Sequence, residues 1–263
     1  RFQQAHALVI GIGGVGSWVA EALARSAVGR ITLIDLDHIA ESNTNRQIHA
    51  LGDSYGQAKV QAMAARIAAI NPDCRIGTVE EFVAPHNVDA LLDACGAVDV
   101  VIDCIDQVIA KAALVAACRR RRIAVITCGA AGGRLDPTRI RCDDLARAAG
   151  DPLLSKLRYR LRREHGFARA DAAGRAVRFD VTSVFSDEPV KQPATADACD
   201  PGDGAAARSH GLACSGYGSS VTVTAPMGFA AAARALALIA SARAGLGATD
   251  VTPVRAPGVP MRG

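Results

Sequence analysis

Near the start of the chain, Gly11-Ile12-Gly13-Gly14-Val15-Gly16 carries the GxGxxG spacing of a phosphate-binding turn. An apolar run precedes it and a helical pattern follows. In that context glycines let the backbone approach an anion, and the helix N-terminus offers it free N–H groups. Asp35 lies 19 residues past Gly16, where a carboxylate can accept hydrogen bonds from ribose hydroxyls. Taken alone, these features suit NAD as well as ATP.

Further residues have no joint task in an NAD fold. Ser42-Asn43-Thr44-Asn45-Arg46-Gln47 follows Asp35 and Asp37, and Lys59 comes after Gly56-Gln57-Ala58. They place a guanidinium and an ammonium where negative charge builds on an α-phosphate under attack. Asp103-Cys104-Ile105-Asp106 closes a later apolar strand, at the edge of a parallel sheet where ligands bind, and offers a carboxylate for Mg²⁺. Two acids, an arginine and a lysine around a glycine turn favour ATP.

These residues need a scaffold that brings strand ends together. Over the first 130 or so residues, short β-branched runs alternate with longer helical patterns, which predicts a doubly wound, mostly parallel α/β sheet of Rossmann-like type. Strands are expected at residues 7–10, 30–35, 75–79, 98–103 and 124–128. Helices are expected at 15–26, 56–70, 86–94 and 108–121, with Asn71-Pro72 stopping the second. The alternation then decays into a substrate-side extension: a strand at 138–142, a strongly basic helix at 152–163 and a polar loop at 186–209. One domain is expected over 1–245, with a nucleotide-binding part (1–135), a substrate-side part (136–245) and a disordered tail (246–263).

Half of the 263 residues are hydrophobic, enough to bury one large core. The net charge is +4, and of 30 basic residues only Lys59, Lys111, Lys156 and Lys191 are lysine; arginine suits bidentate phosphate contacts. Eight scattered cysteines without a CxxC pair fit a reduced, cytoplasmic compartment. The first apolar run enters the glycine turn with no cleavage-like site, so no signal peptide is expected. Residues 221–242 are apolar enough to suggest a membrane span, but Pro226 and Arg234 interrupt an alanine-rich run, and a buried core helix is expected instead.

The blocks GIGGVGSWVAEALARSAVGRITLIDLDHIAESNTNRQ, GQAKV, INPDCRI and VIDCIDQVIAKAAL resemble the ubiquitin-activating-enzyme-like (ThiF/MoeB-type) adenylyltransferases over roughly residues 7 to 135. The resemblance implies phosphate contact at Gly14, ribose contact at Asp35, phosphate contacts at Asn43, Arg46 and Lys59, and Mg²⁺ at Asp106. It also implies the reaction: a substrate carboxylate attacks the α-phosphate of ATP, giving an acyl adenylate and pyrophosphate. A homodimer is implied, with an N-terminal arginine reaching the partner's ATP. The sequence given starts at the first strand without that segment, which predicts ATP binding but weakened turnover for a chain of this extent.

Members that activate ubiquitin-like sulfur carriers hold zinc with two CxxC pairs, which this sequence lacks. INPDCRI, CRRRRIAVITCGAAGGRLDPTRI, DPLLSKLRYRLRREHG and CSGYGSSVTVTAPMGFAAAARAL instead resemble the branch that dehydrates threonylcarbamoyladenosine in tRNA, over nearly the whole chain. That branch implies tRNA bearing this nucleoside as substrate; carrier activation stands as the alternative, and a sulfur-relay protein is a further expected partner. Lys156, Arg158, Arg160, Arg162 and Arg163 could contact tRNA phosphates, as could Arg119 to Arg122, although compensation of a helix end explains the latter more simply. Cys214 stands where this family often carries a cysteine that could capture the acyl adenylate as a thioester. Cys199 is a weaker candidate.

Overall fold

A computed structural model describes residues 1–190 and 218–242. Its centre is one seven-stranded sheet in the order β3-β2-β1-β4-β5-β7-β6. The five strands of the first half are β1 (His6–Ile10), β2 (Arg30–Ile34), β3 (Arg75–Val79), β4 (Val100–Asp103) and β5 (Ala124–Cys128). All pair in parallel, with Ala7 opposite Ile31 on one side and Val100 on the other. β1 and β4 are buried along their whole length, as continuous apolar strands covered on both faces must be.

Alternate side chains divide the core. Ala7 and Val9 of β1 face a cluster with α1 (Gly16–Arg25), α2 (Lys59–Ile70) and α6 (Val221–Ala242), while Leu8 and Ile10 face one with α3 (Val88–Cys95), α4 (Val108–Arg121) and α5 (Pro152–Glu164). Helices thus cover both faces, as a doubly wound sheet requires. α6 is long and apolar enough to cross a membrane by composition. It lies instead against α1 and strands β4 to β7, burying Val223, Met227, Ala231, Ala232, Ala235 and Ile239. It reads as the core helix expected from the sequence.

The segment expected to form a substrate-side extension continues the same sheet. β7 (Thr182–Ser186) pairs in parallel with β5, and β6 (Ile140–Asp144) pairs antiparallel with β7. β7 is absent from the sequence reading. β6 begins two residues later than expected because Pro137–Arg139 forms a 3-10 turn, capped by the Asp136 carboxylate accepting from Thr138 N. α2 begins at Lys59 rather than residue 56: Gly56 has φ +83°, and Ala58 is extended and bridges to His38. The expected tail lies outside the described residues, as does most of the expected polar loop.

Candidate functional site

The glycine turn connects β1 to α1 at the carboxyl edge of the sheet. Gly11 has φ +84°, and a Cβ there would lie 2.9 Å from the carbonyl of Cys104 on the β4–α4 loop. A Cβ on Gly16 would overlap Gly11 O. Only glycine fits at these two positions, and the turn is pressed against the loop that carries Asp106.

Around this turn the structure gathers most of the residues singled out from the sequence. Asp35 directly follows β2, and its Oδ2 accepts from Ile12 N at 2.6 Å while Oδ1 accepts from Asp37 N at 2.8 Å. Burial raises the Asp35 carboxyl above its ordinary value, opposed by Lys59 and by the N–H groups of Asp37 and Ile12. Lys59, at the first turn of α2, is buried and pairs through Nζ with Asp37 Oδ2 at 2.8 Å. Asp37 therefore fixes the ammonium in place, a role absent from the sequence reading.

Arg46 packs its stem against Gly14: a Cβ on that glycine would lie 3.4 Å from Arg46 Cγ. Its Nη1 donates to Ser42 O at 2.6 Å and to Asn45 Oδ1 at 3.0 Å. Its carbonyl accepts from Trp18 Nε1 of α1 (3.0 Å) and from Thr224 Oγ1 of α6 (3.3 Å), and Asn45 Nδ2 donates to Ser219 O (2.6 Å). Two helices from distant parts of the chain thus clamp the backbone that presents the guanidinium. Asn43 closes its own turn, Oδ1 accepting from Ala40 N at 3.1 Å, and Gln47 is buried with Nε2 facing Gly13. Trp18 and Thr224 also escaped the sequence reading; that Trp18 is the chain's one tryptophan was the available signal.

Asp106 stands in the β4–α4 loop, partly exposed, with no hydrogen bond or ion pair among the described residues. Beneath it, Asp103 and Lys111 form a pair 2.9 Å apart whose side chains are both fully buried. Thr127 Oγ1 and Ile105 N also donate to Asp103, and Lys111 Nζ donates to Ile105 O at 2.8 Å. This network fixes the loop and consumes Asp103, leaving Asp106 as the carboxylate free to face a ligand. A Mg²⁺ ion held largely by phosphates needs only one or two protein carboxylates, so a lone Asp106 fits it. No group of three or more His, Cys, Asp or Glu side chains able to hold a metal by themselves occurs among the described residues.

A second buried pair, Arg134 and Asp151 at 3.0 Å, ties the glycine-rich turn after β5 to the start of α5. Asp151 Oδ2 also accepts from Ala130 N, and Oδ1 caps α5 by accepting from Leu154 N at 2.9 Å. Cys199 and Cys214 lie outside the described residues. The basic residues ending α4 prove to be neutralised: Arg120 pairs with Asp89, Arg121 with Asp89 and Asp93, and Arg119 with Asp180. A cavity of about 590 Å³ lined by Arg119, Arg120, His165, Phe167, Arg178 and Phe179 lies where α4 and α5 end, at the sheet edge opposite the glycine turn. It has no helix N-terminus, and its one lining glycine, Gly166, is not part of a GxGxxG turn, so the carboxyl edge is the candidate nucleotide site.

His49 borders that site and is 3% exposed, with neither ring nitrogen bonded among the described residues. Burial first, then Lys59 and Arg66, hold its pKa down to about 4. The unfolded chain takes the proton near 6.5, so the stability present above that pH is lost as pH falls toward 4, by about 3 kcal/mol. Comparing urea unfolding of wild type and His49→Leu across this window should show the wild type losing about 3 kcal/mol more than the variant. Parallel pH profiles would contradict it.

The ThiF family model matches residues 1–249. The chain is 46% identical over 236 residues to the tRNA threonylcarbamoyladenosine dehydratase of Escherichia coli (strain K12), covering 89% of this chain and 86% of that protein. It is 41% identical over 237 residues to the Haemophilus influenzae protein of the same name, covering 90% and 86%. The crystal structure of the E. coli tRNA N6-threonylcarbamoyladenosine dehydratase in complex with ATP superposes with a TM-score of 0.78 at 44% identity, covering 92% of this chain and 89% of that one. With its glycine turn, Asp35, Arg46 and Lys59 assembled on one sheet edge, the chain belongs to the ThiF family.

Proposed function

We propose that this chain uses ATP to dehydrate threonylcarbamoyladenosine at position 37 of tRNA, closing a ring through a carboxyl adenylate. The observation that carries the reading is the site's own geometry: Asp35 bonded to Ile12 of the glycine turn, and Arg46 stacked on Gly14 beside it. The likeness to the ATP-bound E. coli dehydratase over most of both chains supports it.

The glycine turn and the start of α1 receive the phosphates, with N–H groups and the positive end of the helix dipole. Asp35 accepts from the ribose hydroxyls, and its Ile12 bond sets the distance between sugar and phosphate sites. Asn43, Arg46 and Lys59 donate to phosphate oxygens, and Asp37 presents the Lys59 ammonium. Asp106 would hold Mg²⁺, which supplies positive charge to the phosphates. The nucleoside carboxylate attacks the α-phosphorus, the bond to the β-phosphate bridging oxygen breaks, and pyrophosphate leaves. A nucleophile of the same nucleoside then attacks the activated carbonyl and AMP departs with the carboxylate oxygen, so the net loss is one water. Charge on the α-phosphate rises in the first step, where Arg46 and Lys59 stabilise it.

By the same resemblance we propose a cytoplasmic homodimer, a sulfur-relay protein as a further partner, and a role for Cys214 in capturing the acyl adenylate. The reading is tested by pyrophosphate release from ATP with modified tRNA or with a ubiquitin-like sulfur carrier as the second substrate. Release driven by the tRNA alone is expected. Release driven by the carrier alone would replace this reading with carrier activation.

A further inference from the structure

α5 starts at the nucleotide site and leads away from it. Its N-cap, Asp151, accepts from Ala130 N just beyond β5 and pairs with Arg134, so the helix begins at the carboxyl edge of the sheet. Leu153, Leu154, Leu157 and Leu161 are buried beside α4. Lys156, Tyr159 and Arg163, at spacings of three and four, therefore share the outer face, and all three are exposed. At 1.5 Å per residue, Arg163 stands about 18 Å along the helix from Asp151.

The charge of α5 is unbalanced. Glu164 is the only acidic residue within α5, and it is bonded to Arg160 at 2.9 Å. Lys156, Arg158, Arg162 and Arg163 have no ion pair with a carboxylate among the described residues. Arg158 lies near enough to Arg162 for the like charge, after burial, to lower its pKa. The arginines ending α4 show what a structural basic cluster looks like here, each facing an aspartate. On α5 only Arg160, paired with Glu164, has such a complement among the described residues. Within the stripe, Tyr159 is 64% exposed, and the Arg163 guanidinium carbon lies 6.0 Å from its ring centroid. Cations with an exposed aromatic between them suit a strand carrying both phosphates and unstacked bases.

We propose that the outer face of α5, Lys156–Tyr159–Arg163, is the docking track for the anticodon arm of the RNA substrate. Lys156 and Arg163 meet backbone phosphates, and the Tyr159 ring stacks on an unpaired base outside the catalytic site. The inference rests on the tRNA reading above and adds to it the surface that holds the substrate. A nucleoside seated at the carboxyl edge leaves its flanking strand running where α5 runs, which turns a helix with a fixed start into a ruler for the loop.

The test uses full-length protein and tRNA bearing threonylcarbamoyladenosine. The measurements are the tRNA Kd as a function of salt, kcat and KM for dehydration, ATP binding and thermal melting. Lys156→Ala with Arg163→Ala should flatten the log Kd against log salt slope by about 2, one for each lost phosphate contact. KM for tRNA should rise at least tenfold with kcat, ATP binding and melting unchanged. Tyr159→Ala should weaken tRNA binding about fivefold or more, with Tyr159→Phe restoring it. Arg75→Ala, at the far edge of the sheet, serves as the control and should leave all of these values alone. An unchanged Kd and salt slope in the α5 variants, while wild type dehydrates the tRNA, would overturn this inference and leave the function standing. A wild type that ignores tRNA but turns over a carrier protein, with the α5 variants impaired on that carrier, would overturn both.

Discussion

Arg46→Ala is expected to lose about 10² to 10³-fold in turnover, the usual cost of removing one donor to a charge that develops in the transition state. The fold should survive. Among the described residues the guanidinium bonds only to Ser42 O and Asn45 Oδ1, so its loss strands no buried carboxylate there. The backbone that carries it keeps its clamp, because Trp18 and Thr224 bind the Arg46 carbonyl and not the side chain. Single-turnover AMP formation should therefore collapse while the melting temperature stays within a degree or two of wild type. Arg46→Lys should recover little, because an ammonium lacks the planar fork that meets two phosphate oxygens. Turnover within threefold of wild type would remove Arg46 from the machinery.

Lys111→Ala is expected to lower unfolding free energy by about 3 to 5 kcal/mol, as breaking one side of a fully buried ion pair does. The Asp103 carboxylate would be left with Thr127 Oγ1 and Ile105 N but no cation. The damage should reach the site, because Lys111 Nζ also holds Ile105 O in the loop that carries Asp106. Urea unfolding reads the first effect, and the Mg²⁺ concentration needed for half-maximal turnover reads the second. Replacing both partners, Lys111→Met with Asp103→Leu, should recover much of the stability, since an apolar pair has no charge to desolvate. A loss below 1 kcal/mol in Lys111→Ala would mean that water reaches the pair.

The parallel half of the fold was legible because its strands are short apolar runs between amphipathic helices, and the glycine turn marks the first crossover. β7 was not. Thr182 and Ser183 dilute a run that becomes buried only because β5 and β6 close on it. Periodicity carries α2 back to Gly56 because it cannot see that Ala58 is held extended by its bridge to His38.

The candidate site was legible where spacing along one crossover fixes geometry, as with Asp35 after the glycine turn. The partners that aim these groups were hidden. Asp37 reaches Lys59 only after a turn brings α2 back, and Thr224 meets Arg46 O across 178 residues. Lys111 and Arg134 read as ordinary charges beside apolar or glycine-rich stretches, yet both are fully buried against a carboxylate. Burial of that kind is set by which helix covers which strand, and the local pattern does not carry it.

Removal of water from threonylcarbamoyladenosine in tRNA at the expense of ATP is the reaction expected of this protein. Its most direct measurement is the mass of nucleosides digested from modified tRNA after incubation with the protein, ATP and Mg²⁺, with Asp106→Ala alongside. We expect a nucleoside lighter by one water, formed together with AMP and pyrophosphate, and absent with the variant. An unchanged nucleoside mass with full-length, ATP-binding protein would contradict the account.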